Sequence, residues 1–273
     1  MKLKFLCPYW GCEGTAADEF VAKVLDAGFA GAEINFPADE KFISGIQRAA
    51  ANEDNFSVVA QQWLAPKVES FAQYRAKFNA RLRFLATLNP VFINSHTGKD
   101  FYSVAQNSLL LNDALALERT LGITITHETH RGRFNFAAFA TEPYLQKFPA
   151  LKLNADFSHW TNVSESYLEE QQGSLKRAQQ HSYYIHARVG HTQSAQVNDP
   201  FSPQWQETLS LYVKWWQQII DLAQARGQKI FYICPEFGPW PYMPNKLNST
   251  IPLTQQWQLN VRMKEYLMKH LIV

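Results

Sequence analysis

The chain has 273 residues, long enough for one large domain, and its 46% hydrophobic content can fill a substantial core. Twenty-six basic against 24 acidic residues leave a formal charge of +2. With no Lys/Arg run, nothing in the chain demands a polyanionic partner such as nucleic acid. Cys7, Cys12 and Cys234 are odd in number and scattered, which excludes a disulfide framework and a CxxC zinc knuckle. The apolar run at the N-terminus is too short for a signal peptide, and no stretch of about 18 apolar residues marks a membrane span. The expectation is a cytoplasmic protein without a membrane partner. Charged residues are sparse at 18% while aromatics reach 14%. Trp and Tyr beyond the needs of a core often wall small-molecule pockets.

Along the chain, short apolar strands alternate with longer stretches of helical spacing. The eight strands fall at 3–7, 31–36, 57–63, 91–96, 124–130, 152–158, 183–188 and 230–236. Helical patterns occupy 17–27, 70–88, 105–121, 205–225 and 255–271; in the second of these, Phe71, Tyr74, Phe78, Leu82 and Leu85 recur at intervals of three and four. Gly28 and Gly227 stand where helix stops belong. No linker or low-complexity tract divides the chain. Strand–helix alternation implies parallel strands with helices outside. Eight such units fit a single closed (β/α)8 TIM barrel over 1–273 better than an open doubly wound sheet.

Strand side chains alternate between faces with a period of two. In the fifth strand Thr124, Thr126 and Glu128 share one face; in the sixth, Lys152, Asn154 and Asp156 do. Tyr184, His186 and Arg188 share a face of the seventh, and Tyr232, Cys234 and Glu236 of the eighth. Each of these faces carries an acid or a histidine near the C-terminal end of its strand. In a barrel that is the inward face and the catalytic rim. A lone strand-end Glu or His is usually a surface or salt-bridged residue; four in phase on consecutive strands are not so easily dismissed. Three carboxylates converging there would repel one another or have their pKa values raised unless a cation joined them. Glu128, Asp156, His186 and Glu236 therefore make a first shell for one divalent metal ion. The oxygen and nitrogen donors suit Mn, Co, Mg or Zn.

The segments His127-Glu128-Thr129-His130, Asp156-Phe157-Ser158-His159, His186-Ala187-Arg188 and Pro235-Glu236-Phe237-Gly238 resemble the xylose-isomerase-like barrel superfamily, and within it the sugar isomerase/epimerase branch that includes ketose 3-epimerases. The resemblance implies Glu, Asp, His and Glu metal ligands on the fifth to eighth strands. It also implies a substrate-contacting histidine three residues after the aspartate, here His159, and a small-molecule carbohydrate substrate. Glu128 and Glu236 would then be the catalytic acid/base pair. A bound metal polarises a carbonyl and stabilises the enediolate left by C–H proton removal, while a carboxylate on each side of the carbon moves the proton. The match weakens after His186: ketose epimerases carry a substrate-binding arginine several residues downstream, whereas Thr192 stands here and Arg188 lies closer.

Further residues join the substrate expectation. His96 ends the fourth strand on its inward face, to orient substrate or simply to hydrogen-bond inside the barrel. Glu33 ends the second, placed either to hydrogen-bond substrate or to fix the neighbouring shell. Arg131 and Arg133 follow the fifth, as a clamp for an anionic group or as solvated loop arginines. Trp10, Trp63, Trp160 and Trp240 lie near strand ends, and one or two of them would cover sugar C–H faces. The aromatic stretch 211–216 offers a face for a homo-oligomer contact or for seating on the barrel.

Three other functions compete. A metal-assisted dehydratase of a keto sugar or cyclitol would use the same glutamates but expel a β-hydroxyl. An endonuclease-IV-like phosphodiesterase matches Asp156 with His159, yet the third strand ends in Gln61-Gln62-Trp63 without a histidine and Phe201 stands where that branch has one. A non-catalytic sugar-binding protein would have little use for opposed bases.

Overall fold

In the computed structural model, residues 1–53 and 56–273 are described. Nine strands, β1 Lys2–Phe5, β2 Cys7–Pro8, β3 Gly31–Ile34, β4 Ser57–Gln62, β5 Phe92–Ser95, β6 Ile125–Glu128, β7 Lys152–Ala155, β8 Ser182–His186 and β9 Ile230–Cys234, form one sheet in the order β1-β9-β8-β7-β6-β5-β4-β3-β2. Every pairing is parallel. β1 and β2 are separated only by Leu6, whose N–H donates to the Ile233 carbonyl at 2.8 Å. They are two halves of one stave, so the ring closes as eight staves and the (β/α)8 barrel expected from the sequence is the fold.

The five helices named from spacing are present as α1 Ala17–Asp26, α3 Phe71–Thr87, α4 Val104–Leu121, α8 Gln206–Ala225 and α9 Gln256–His270. Their starts have local chemical causes. Ser70 and Ser103 form capping boxes with Gln73 and Gln106, each hydroxyl taking an otherwise orphaned backbone N–H. Gly28 and Gly227 follow α1 and α8 at φ 72° and 76°, a left-handed turn that a residue with Cβ adopts only under strain. Four helices lay outside the sequence reading: α2 Glu40–Asn52, α5 Ala138–Lys147, α6 Ser158–Val163 and α7 Gln172–Gln180. Each has a weak signal. Gly45 sits inside α2, Pro143 sits inside α5, α6 is a six-residue helix that starts two positions after Asp156, and α7 is largely polar.

The strands are shorter than their apolar patterns at the mouth end: β7 stops at Ala155 and β9 at Cys234, where sequence alone carries them to 158 and 236. The ladder ends as the chain turns outward, and Thr129 Oγ1 takes the Asp156 N–H at 2.8 Å in place of a strand partner. The predicted alternation holds. Ile125, Leu153, Ile185 and Ile233 join the large core beneath the helices, while Leu6, Val59, Phe92, Tyr184 and Cys234 form a separate cluster. Leu6, Val59, Phe92, Tyr184 and Cys234 are the inward positions that plug the lower barrel. Among the described residues no helix is long and apolar enough to cross a membrane.

Candidate metal centre

Above that plug, Glu128, Asp156, His186 and Glu236 come together from β6, from just past β7, from the end of β8 and from just past β9. All four are buried, and their donor atoms lie within 4.8 Å of one another. His186 Nδ1 is 2.9 Å from Glu236 Oε2 and 3.4 Å from Glu128 Oε2. On its other side, Nε2 lies 2.7 Å from Glu33 Oε2. Glu33 is buried at the end of β3; its Oε2 also accepts the Tyr184 hydroxyl, and its Oε1 accepts from Asn94 Nδ2 at 2.8 Å. The same Asn94 amide donates to Glu128 Oε2 at 2.8 Å. With the Nε2 proton given to Glu33, the Nδ1 lone pair faces the acids, and that buried atom has no hydrogen-bond partner of acceptable geometry. An unpartnered imidazole nitrogen aimed among three carboxylates is what a divalent ion requires, and a carboxylate behind the ring is the usual way its tautomer is held. The residues present fit a metal.

The electrostatics of the metal-free cluster follow from crowding. Burial pushes Asp156 and Glu236 above the usual carboxylate range, against the pull of Arg188 and His186. Burial acts on Glu128 in the same direction, but His96 and His186 outweigh it and hold that carboxyl low. His186 is raised well above an ordinary histidine: burial opposes its charge, yet Glu236, Glu33 and Glu128 together favour it. Without a metal, the cluster keeps a proton on the imidazole to neutralise the acids.

Arg188, fully buried, donates through Nη2 to Asp156 Oδ2 and lies 2.7 Å from His159 Nε2. Its Nε is 3.2 Å from Ser158 Oγ, and the guanidinium stacks on the Tyr242 ring at 4.8 Å. Burial, then the neighbouring His130 and Arg188, hold the His159 pKa well below its usual value. A neutral His159 thus stands as acceptor for Arg188.

The centre forms the base of a cavity of about 460 Å³. Its walls include Tyr9, Trp10, Trp63 and Tyr242, with Gln61, His96, His130, Glu33, Arg188 and both glutamates reaching inward. His96 lies with its Nε2 3.0 Å from Glu128 Oε2. Of the sequence-predicted residues, Glu33, His96, Arg188 and the two glutamates thus meet in one cavity. His159 sits fully buried behind Arg188. Arg131 stays on the exposed rim, 3.3 Å from Asn162 Oδ1 and over the Tyr242 ring at 5.0 Å. Arg133 is buried in the same turn. Of the four tryptophans, Trp10 and Trp63 line the cavity. Trp160 is core, its Nε1 bonded to the Asn135 carbonyl at 2.8 Å, and Trp240 is exposed.

Sequence reasoning gave no site role to Asn94, Tyr184 or Tyr9, and reached Tyr242 only through the 238–244 loop, whose composition marks it as shaping the pocket. The first two carried a usable signal: each lies two residues before a chosen histidine, on the same inward face. The tyrosines come from loops, where no periodicity applies.

No protein-family model and no curated protein matches the chain. Among solved structures it is similar to a xylose isomerase-like TIM barrel protein from Mycobacterium smegmatis in complex with magnesium, with TM-score 0.61 and 12% identity over 97% of this chain and 95% of that one. It is similar also to a D-allulose 3-epimerase from Methylomonas sp. in complex with D-allulose, with TM-score 0.62 and 14% identity over 98% and 97%. The IOLI protein with a binding zinc atom aligns over 100% of both chains at TM-score 0.66 and 11% identity. The closed (β/α)8 barrel expected from the sequence is the architecture this chain shares with them; at such identities the likeness is one of fold.

Proposed function

We propose that the protein is a divalent-metal-dependent sugar isomerase or epimerase whose metal is held by Glu128, Asp156, His186 and Glu236. The observation that carries this reading is the mutual 4.8 Å clustering of those donors, buried beneath a cavity with tryptophan and tyrosine walls. The shared fold with a D-allulose 3-epimerase and with magnesium- and zinc-bound proteins supports it. A bound divalent ion would supply positive charge for a substrate oxygen as a neighbouring C–H is deprotonated.

The chain's own residues would do the rest. Glu128 and Glu236 flank His186, from β6 and from beyond β9, so a sugar carbon above the imidazole has a carboxylate on either side to remove and return a proton. Asn94 and Glu33 fix Glu128 and His186 from behind. Arg188, anchored to Asp156, backed by His159 and lying against Tyr242, sits at the cavity wall to hold a substrate oxygen. Trp10 and Trp63 cover C–H faces and exclude water. The substrate is a small carbohydrate bound in the cytoplasm by one domain spanning 1–273.

The test is elemental analysis of the purified protein, then NMR screening of keto sugars for proton exchange in deuterated water with Mn, Co, Mg or Zn added. An isomerase or epimerase returns deuterium-labelled sugar of unchanged constitution. A product lighter by one water would identify a dehydratase instead. A protein that takes up no divalent metal would end the proposal.

A further inference from the structure

The turn after β6 is closed by the Arg133 N–H, which donates to the His130 carbonyl at 3.1 Å, with Gly132 at φ 74°. That positive φ suits glycine, and the reversal it allows leaves Arg131 exposed while Arg133 tucks inward. Arg133 is only 6% exposed. Among the described residues it forms no ion pair. Its buried Nε has no hydrogen-bond partner. Burying a guanidinium forfeits hydration and returns nothing unless an acceptor reaches it. Arg188, at the same mouth, has such an acceptor in Asp156.

The loop after β5 brings a second cation to the same place. The Phe134 N–H donates to the Thr97 carbonyl at 3.3 Å, tying loop 97–100 to the turn that carries Arg133. Tyr74 of α3 backs this loop: its hydroxyl donates to the Gly98 carbonyl at 3.4 Å, and half-buried Lys99 holds its Nζ 5.4 Å from the ring centroid. Burial, then the Arg133 charge, push the Lys99 ammonium below its usual range. The neighbouring acids are engaged elsewhere. Glu69 pairs with Lys77 at 2.6 Å, and exposed Asp100 accepts the Phe101 N–H at 2.9 Å. Lys99 and Arg133 each stand three residues beyond a histidine, His96 and His130, that lines the cavity.

We propose that Arg133 and Lys99 form an oxyanion subsite at the β5–β6 edge of the cavity, and that the sugar acted on is a phosphomonoester whose phosphate lies there. The inference rests on the isomerase or epimerase reading above for the sugar itself. The Nε and one Nη of a guanidinium make a planar fork that matches two phosphate oxygens, and the lysine adds a point charge. Charge selects the phosphate. A phosphomonoester carries about −1.5 to −2 at neutral pH and answers two cations, whereas a carboxylate answers one.

The test is calorimetry of the Mg²⁺-loaded protein with matched probes: D-fructose, D-fructose 6-phosphate and D-fructuronate. The phosphate should bind about 10–100-fold more tightly than D-fructose. In Arg133→Gln that ratio should fall toward one. Lys99→Met, at a half-buried position, should lower it about 2–5-fold and keeps the test open should the arginine variant misfold. No phosphate preference in the parent overturns the inference, as does a preference undiminished in both folded variants. Tighter binding of D-fructuronate than of the phosphate overturns the assignment in favour of a sugar acid. Proton exchange on the same probes separates this inference from the reading beneath it. Exchange on D-fructose without any phosphate preference keeps that reading and removes the subsite. A phosphate preference lost in Arg133→Gln, with no exchange on any probe, keeps the subsite and counts against the reading.

Discussion

The inside of the barrel has a lower and an upper tier built from the same staves, and they have opposite burdens. In the lower tier Leu6, Val59, Phe92, Tyr184 and Cys234 pack together, with Phe92 edge-on to Tyr184 at 5.0 Å and to Tyr232 at 5.6 Å. Two residues further along each strand, about 6–7 Å, Val59 gives way to Gln61, Phe92 to Asn94, Tyr184 to His186 and Cys234 to Glu236. The lower tier removes apolar surface from water and stabilises the fold. The upper tier buries four carboxylates, Glu33, Glu128, Asp156 and Glu236, among His186, Arg188 and His96, an arrangement that an apolar filling of equal volume would match or exceed in stability. A barrel can hold such a cluster because a buried apolar plug packs beneath it. Stability and function are thus divided by one step of strand alternation.

That division is broken most severely by a change that leaves the fold alone. Glu236→Gln should reduce proton exchange on the sugar substrate by roughly 10²–10⁴-fold, read by NMR in deuterated water. The metal-free variant should melt no lower than the parent, because a buried carboxyl pushed above its usual range has been replaced by a neutral amide. Undiminished exchange would remove Glu236 from the base pair. A large fall in melting temperature would mean that the upper tier carries stability after all.

The lower tier makes the converse prediction. Phe92→Ala removes the ring that touches both Tyr184 and Tyr232 and should cost about 3–5 kcal/mol in urea unfolding. Metal content per folded molecule should not change. If instead metal is lost while the unfolding midpoint stays put, the plug is shaping the centre and the two tiers are not separable.

How much of this was legible in the sequence depended on periodicity. Strand alternation was enough to place Tyr184 below His186 and Cys234 below Glu236, and the phase of four consecutive strands brought Glu128, Asp156, His186 and Glu236 to one point. The extent of the strands was less legible: apolar residues continue past the last ladder bond at β7 and β9, and only the Thr129 bond to the Asp156 N–H shows where the chain leaves the sheet. Helices with clean spacing and caps, α3 and α4, were readable; α5 with Pro143 and polar α7 were not, because tertiary packing stabilises them where local preference does not. Partners of the site residues were hidden for a different reason. That Glu33 supports His186 across 153 positions of chain depends on how the ring closes, which no local pattern encodes. The bond of Arg188 to Asp156, between neighbouring staves 32 positions apart, was hidden in the same way.

Glu33 gives a sharper, smaller test, because it is where the tiers touch: its Oε2 accepts the hydroxyl of Tyr184 from below and faces His186 at its own level. Glu33→Gln should weaken metal binding about 10–100-fold by calorimetry, since an amide nitrogen facing His186 Nε2 no longer enforces a lone pair at Nδ1. Affinity in the parent should climb with pH. The metal-free imidazole keeps its proton well above the ordinary histidine range, and the metal must displace it. Metal affinity unaltered in Glu33→Gln would show that the ring is held by packing alone.

The smallest effect belongs outside both tiers and serves as their control. Between α3 and α4, Arg75 grips Asp113 with Nε at 2.6 Å and Nη2 at 2.7 Å, and Asn79 adds a third bond at 2.8 Å. The Arg75 hydrogen bond holds the Asp113 carboxyl below the usual carboxylate range against the opposing effect of burial. A carboxyl whose folded pKa is depressed contributes stability above its unfolded value, near 4, and loses it as pH falls through the lower, folded value. The arginine side chain is 40% exposed, so solvent screens the pair and Asp113→Asn should cost only roughly 0.2–1 kcal/mol. That deficit should be visible in urea melts at pH 7, shrink in acid and shrink with added salt, while metal stoichiometry and sugar exchange stay at the parental level. A change in either of the last two would mean that the helical jacket tunes the mouth, and that the boundary drawn inside the barrel extends through its wall.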